Sequence, residues 1–334
     1  MLLEILFAVG TCRAPEAPRE EVMRILDGGK LSEEQAAELE SRIKETPGDL
    51  EARSQLLGYY QMRAFKSPTA RKARQAHVMW IIEHQPDSSL ARSGFVDLNP
   101  HLDGEVYYKA RDMWLATAKQ RADDPAILGS AARFLLLNDR DSAKRFFLAG
   151  ARLEPECPDW PRHLAGLVSL HASDKKAAAE ALGYYERAMA LMDSEDAKAW
   201  LSQAVKTAFA AEEFEKAETM AKELATTPRD RRDGDAIHHG NLILGRLALR
   251  RGELDKAKQH LLAAGRTPGS AVLSSFGPNM TLALELIEKG ERQVVLEYFE
   301  LCARFWKNDD GRLKAWAATV KGGGTPDFGA NLNY

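Results

Sequence analysis

One helical triplet recurs seven times along this chain: a small residue, a bulkier one four positions on, and a further contact three after that. The triplets are Ala76, Trp80, Glu83; Ala110, Trp114, Thr117; Ala143, Phe147, Gly150; Ala181, Tyr185, Ala188; Ala217, Ala221, Leu224; Ala257, Leu261, Ala264; and Val295, Phe299, Cys302. Their first members are 34, 33, 38, 36, 40 and 38 residues apart. Self-similarity at such a period marks a stack of like units, each burying its apolar face on its neighbours, rather than one globular core.

Spacing of i, i+4 and i+7 puts the three residues on one helix face, where the small one admits a neighbouring helix and the bulky one fills the space beside it. Twelve residues before four of the first members stands another small or β-branched residue: Ala131, Val205, Gly245 and Ala283. The clearest unit, Leu244, Gly245, Ala248, Gly252, Leu254, Ala257, Leu261 and Ala264, resembles the tetratricopeptide repeat in residue type and spacing. The resemblance is of the degenerate, bacterial kind and covers about residues 50 to 305. It implies an all-α fold, a right-handed α-solenoid of about seven degenerate helical hairpins. Gly252 is expected to end one helix of its hairpin in the left-handed conformation, with Asp255 and Lys256 opening the next. Pro86 to Gly104 carries Pro, Gly, Asn and Ser in place of an apolar period, and an irregular loop is expected there.

Five segments follow: an apolar segment 1–18, capping helices 19–47, the repeat array 48–306, a final capping helix 307–321 and a glycine-hinged tail 322–334. In the second segment Ser32 and Gln35 spell a capping box, with Leu39 and Ile43 facing the array. At the far end Leu313, Trp316, Ala317 and Val320 form a last apolar stripe before Gly322, Gly323 and Gly324. The tail beyond carries Phe328, Leu332 and Tyr334, which can fold back along the array or fray. Segment 1–18 resembles a lipoprotein signal in its apolar run before Cys12, but it lacks a leading Lys or Arg and has Thr11 beside the cysteine. It is also far short of the ~20 apolar residues that span a bilayer. A cytoplasmic location is expected; export or lipid anchoring through Cys12 is the alternative.

Charge and motifs exclude more than they assign. Forty-six basic and forty-nine acidic residues leave a net charge of −3, so nothing draws the whole chain to nucleic acid or an anionic membrane. Three scattered cysteines make no disulfide framework or zinc ribbon, and Cys302 falls on a packing position. His77 and His84 lie about 10 Å apart along a helix, too far to share an ion. His238 and His239 point in different directions, so no metal site is expected, nor a cofactor. Asp27-Gly28-Gly29-Lys30-Leu31 lacks the first glycine and the hydroxyl of a phosphate loop. No catalytic motif emerges, and an enzyme is not expected.

In the family resembled, certain positions of each first helix line a concave groove. Counted back from the triplets, those positions hold Arg162 and His163, then Ser202, Gln203 and Lys206, then His239, Arg246 and Arg250, then Met280. Four permanent cations face one acid, Asp159, with Phe209 adding apolar surface. A locally basic groove suits a partner segment bearing carboxylates, and the resemblance implies a scaffold or adaptor for a protein or peptide; with no catalytic motif it is expected to be non-enzymatic, and a monomer is expected. The alternative is a solenoid binding a small acidic ligand or glycan there, with hydrolytic activity.

Overall fold

The computed structural model describes residues 17–170, 174–226 and 234–332, so the apolar segment through residue 16, Cys12 and Tyr334 lie outside the described residues. Among those described the fold is all-α, with no strand. None of its helices is long and apolar enough to cross a membrane. The chain divides at Leu167/Val168 into two compact units.

The first unit holds α1 (Arg19–Gly28), α2 (Glu33–Glu45), α3 (Leu50–Arg63), α4 (Pro68–His84), α5 (Pro100–Asp103), α6 (Glu105–Gln120), α7 (Pro125–Leu135) and α8 (Arg140–Leu153); α9 (Asp159–Ser169) reaches the boundary. Local chemistry sets the helix starts. Ser32 and Gln35 close the capping box on α2, and Asp49, Ser67, Asp124 and Asp139 each accept a first-turn N–H. Pro68 and Pro125 stand at the first position of their helices, where a missing N–H costs nothing. Glu21 bonds to Ser54, and the Ile25 backbone lies against Gly58. Both pairs are 33 residues apart (54 − 21 and 58 − 25), so α1 and α3 run in the same direction. Their backbones touch: a Cβ on Gly58 would collide with the carbonyl oxygen of Ile25. Pro86 to Gly104 is largely non-helical, carrying one 3-10 turn (Gly94–Val96) and the short α5, yet Leu90, Ala91, Val96 and Leu98 are buried.

The first triplet is misplaced. Ala76 and Glu83 are exposed and Trp80 half-buried; α4 instead buries Arg74, His77, Val78, Ile81 and Ile82. Two members of that face, Arg74 and His77, are polar, so the apolar period of the sequence points to the neighbouring stripe instead. The other six triplets are buried except for half-buried Thr117.

The second unit holds α10 (Lys175–Leu191), α11 (Ser194–Ala210), α12 (Phe214–Thr226), α13 (Gly234–Arg250), α14 (Leu254–Gly265), α15 (Ala271–Phe276), α16 (Thr281–Glu288), α17 (Arg292–Cys302) and α18 (Arg312–Lys321). Helix α13 serves two cores. Ile243 and Leu247 pack with Val205, Ala217 and Ala221, while Leu242 and Ala248 pack with Leu261, Leu282 and Tyr298. Gly252 takes φ 76°, which L side chains rarely adopt, and α14 opens two residues later. After α18 the chain turns back. Phe328 is buried edge-on to Trp316 at 5.0 Å, and the Trp316 indole donates to the Asp327 carbonyl.

Candidate functional site

A cleft of about 460 Å3 opens in the second unit. Lys206, Phe209 and Ala210 share one face of α11, while His239, Leu242, Ile243, Arg246 and Arg250 recur at helical spacing along α13. The eleven-residue span from His239 to Arg250 is about 16 Å at the helical rise. Glu212 in the α11–α12 turn, Asn279 and Thr281 ahead of and in α16, and Leu332 complete the lining.

Its cations differ in their company. Arg246 pairs with Glu285 at 2.8 Å and lies 4.3 Å over the Phe209 ring, so its charge is shared across two helices. Arg250 lies 4.3 Å over Phe214. Lys206 is half-buried, and its ammonium bonds at 3.4 Å to His239 Nε2. No carboxylate of the described residues forms an ion pair with it, Asp235 acting only at a distance. Burial pulls Lys206 down to about 8 against that attraction. His239 is held well below the usual histidine range by burial, then by the charge of Lys206 and by His238. A neutral ring accepting at Nε2 carries its proton on Nδ1.

Behind the cleft His238 is fully buried. Its Nδ1–H donates to the Ala264 carbonyl at 3.1 Å, and Nε2 accepts the backbone N–H of Asn279 at 3.2 Å. Burial holds it at about 4, partly offset by the Ala264 bond. Tyr298 donates to the Asn279 carbonyl, so two side chains fix the backbone of that wall. Asn331 fixes the next: its side-chain amide donates to the Phe276 and Pro278 carbonyls at 3.1 and 2.9 Å, and its backbone carbonyl accepts the Met280 N–H at 2.8 Å. Leu332 is thereby held at the edge of the cleft.

Of the nine residues taken from the repeat register, Lys206, His239, Arg246 and Arg250 meet in this cleft. Ser202 and Gln203 lie on α11 outside its lining. Arg162 and His163 belong to the first unit. Arg162 pairs with Asp159 at 3.0 Å and donates to His163 Nε2 at 3.1 Å, while His163 stacks flat on Phe147 at 5.1 Å. Burial, then the charges of Arg162 and Arg133, holds His163 at about 3. Met280 is a correction: it is fully buried in the core because α16 begins only at Thr281, one residue after the position counted as groove-facing. Sequence also missed Glu285 and Glu212, which oppose the cations. Glu285 stands 39 residues from Arg246 in sequence, beyond any local charge pattern. No known family's model matches the chain, and no curated protein matches it either.

The first unit has a wider hollow, of about 960 Å3, lined by residues that include Glu40, Tyr59 and Tyr60. Glu40 accepts from the Tyr60 hydroxyl at 2.7 Å and from His77 Nε2 at 3.0 Å, and Arg53 donates to His77 Nδ1 at 3.3 Å while lying 3.5 Å over Trp80. The His77 bond is the largest cause holding the Glu40 carboxyl below its usual value. His84 stacks on Trp80, apart from this chain of bonds.

Proposed function

We propose that this protein is a tetratricopeptide-like helical-repeat scaffold, a right-handed α-solenoid in overall plan, which holds an acidic segment of a partner protein in the cleft of its second unit without doing chemistry on it. The observation that carries this is the convergence of Lys206, Arg246 and Arg250 beside Phe209, Leu242 and Ile243: permanent or near-permanent positive charge next to apolar surface. Support for the repeat plan comes from the 33-residue offset of α1 on α3 and from the buried triplets. Among the described residues Glu212 is the one carboxylate of the lining, and alone it makes no acid–base pair of the kind glycoside hydrolysis uses.

The test is binding of the capped pentapeptide Glu-Leu-Glu-Leu-Glu against its Gln-Leu-Gln-Leu-Gln counterpart. Arg246→Glu with Arg250→Glu should weaken the acidic peptide at least tenfold and flatten its salt dependence; equal binding of both peptides would remove the proposal. A second reading, a small acidic ligand, is favoured by the cleft's size, since about 460 Å3 falls within the ~300–1,000 Å3 of small-molecule sites.

A further inference from the structure

We propose that Lys206 takes the carboxylate of a small monocarboxylic acid whose apolar body lies along Phe209, Leu242 and Ile243. This deepens the second reading of the same cleft, and it rests on Lys206 being unlike its neighbours. Arg246 already shares its charge with Glu285, whereas Lys206 faces the cleft with, among the described residues, only the 3.4 Å bond to His239. A neutral imidazole supplies an acceptor but no compensating charge. An ammonium drawn out of water without a counter-ion is costly, and an anion entering from the cleft removes that cost. Beside it the wall is apolar: half-buried Phe209 and the small exposed edges of Leu242 and Ile243, whose bulk lies in the core, suit a ligand with an apolar body better than phosphate or sulfate.

Among the described residues, Asp235, His238 and His239 of α13 interact with Lys206, while Arg246 and Arg250 of α13 and Glu212 of the α11–α12 turn line the same cleft. The α16 side contributes Asn279, Thr281 and, bound to Arg246, the carboxylate Glu285, and the segment after α18 contributes Leu332. With both histidines neutral, Lys206 is the group that changes charge between neutral and alkaline pH: it is charged below about 8 and loses its proton above. Affinity for a carboxylate should therefore be flat below pH 8 and fall about tenfold per unit above it, until the complex itself deprotonates.

The probe is N-acetyl-leucine against N-acetyl-leucinamide, followed by amide chemical shifts and calorimetry from pH 6.5 to 10. The acid should bind at least tenfold tighter than the amide at pH 7. Lys206→Met should erase that preference, and Lys206→Arg should keep it while abolishing the fall above pH 8. Removing a desolvated charge should not unfold the protein, so an unchanged or higher melting temperature certifies the Lys206→Met variant. If it melts lower, loss of the pH dependence in Lys206→Arg alone decides the question. Equal binding of acid and amide, no binding of either, or an unaltered preference in Lys206→Met would overturn the assignment. An acidic pentapeptide that binds Lys206→Met normally but fails on the double arginine variant would sink the Lys206 assignment and leave the cleft as a peptide site.

Discussion

Each unit buries a histidine beside a charged group, and the two arrangements come out opposite. In the first, Glu40, His77, Arg53 and Tyr60 form a continuous chain of hydrogen bonds between α2, α3 and α4 in which the acid and the guanidinium serve one ring. In the second, Lys206 leans on a neutral His239 and has no ion pair among the described residues. Charge that is paired inside a fold ties helices together. Charge left without a partner at the wall of a cleft destabilises the empty protein, which is the physical signature of a binding position rather than of architecture.

The contrast assumes that the units keep separate cores, and the largest expected effect tests that. Phe147 is fully buried against Trp160 and His163 in the first unit, so Phe147→Ala should cost roughly 3–5 kcal/mol. Hydrogen exchange should show the loss in α7, α8 and α9, with the second unit's cleft and its ligand binding intact. Equal loss of protection in α13 and α17 would mean that the two units cannot be compared as separate bodies.

Acid should weaken both units through rings that play no part in the contrast. His163 and His238 are depressed to about 3 and about 4, below the ~6.5 of an unfolded histidine. The unfolded chain therefore takes up protons first. Stability is complete above pH 6.5 and falls as pH drops toward 4 for His238 and toward 3 for His163, which contribute about 3 and about 5 kcal/mol once each folded pKa is passed. Ring-proton titration followed by NMR checks this, and a His238 that titrates near 6.5 would refute the buried geometry.

Next comes a pair of substitutions with opposite signs. Lys206 has its folded pKa below its unfolded one, so its charged form opposes folding below pH 8, and the loss is relieved as pH rises from 8 toward 10.5. Lys206→Met should stabilise the second unit by about 2 kcal/mol at pH 7. Glu40→Ala should destabilise the first by about 1–3 kcal/mol, since it strips partners from the buried His77 N–H and from the Tyr60 hydroxyl. Urea unfolding of both variants decides it, and two changes of the same sign would end the distinction between paired and unpaired charge.

Sequence carried the helical class and six of the seven buried stripes because those stripes are apolar, and apolar period is what a chain displays without its partners. It failed at α4, where Arg74 and His77 are buried through bonds to residues far along the chain. It placed Lys206, His239, Arg246 and Arg250 because each sits at helical spacing on α11 or α13. Met280 was lost because the helix counted through it begins only at Thr281, which leaves Met280 ahead of the helix and in the core. Glu285 and the wall held by Asn331 depend on contacts 39 and more than 50 residues apart, which no local pattern contains.

The smallest effect concerns the mouth of the cleft. After α13 and α16 the chain turns through Gly252 and Gly290 at φ 76° and 86°, with the next N–H returning to Ala248 or Leu286. After α11 the same bond runs from Glu213 to Ala208, but Glu212 occupies the left-handed position, at φ 58°. Steps of 40 and 38 residues (252 − 212 and 290 − 252) match the last two triplet intervals, so Glu212 fills the slot that glycine fills in the next two turns. A glutamate there is strained, and its carboxylate pairs with Lys175 at 3.0 Å. Glu212→Gly relieves the strain and loses one exposed ion pair, so the melting temperature should change by a few degrees at most. The cleft, however, loses the one carboxylate that lines it among the described residues. N-acetyl-leucine should bind about two- to threefold tighter to Glu212→Gly, and more so at low salt. Weaker binding would show that Glu212 holds the ligand rather than opposing it, and would place the contrast between the two units in the turn instead of at Lys206.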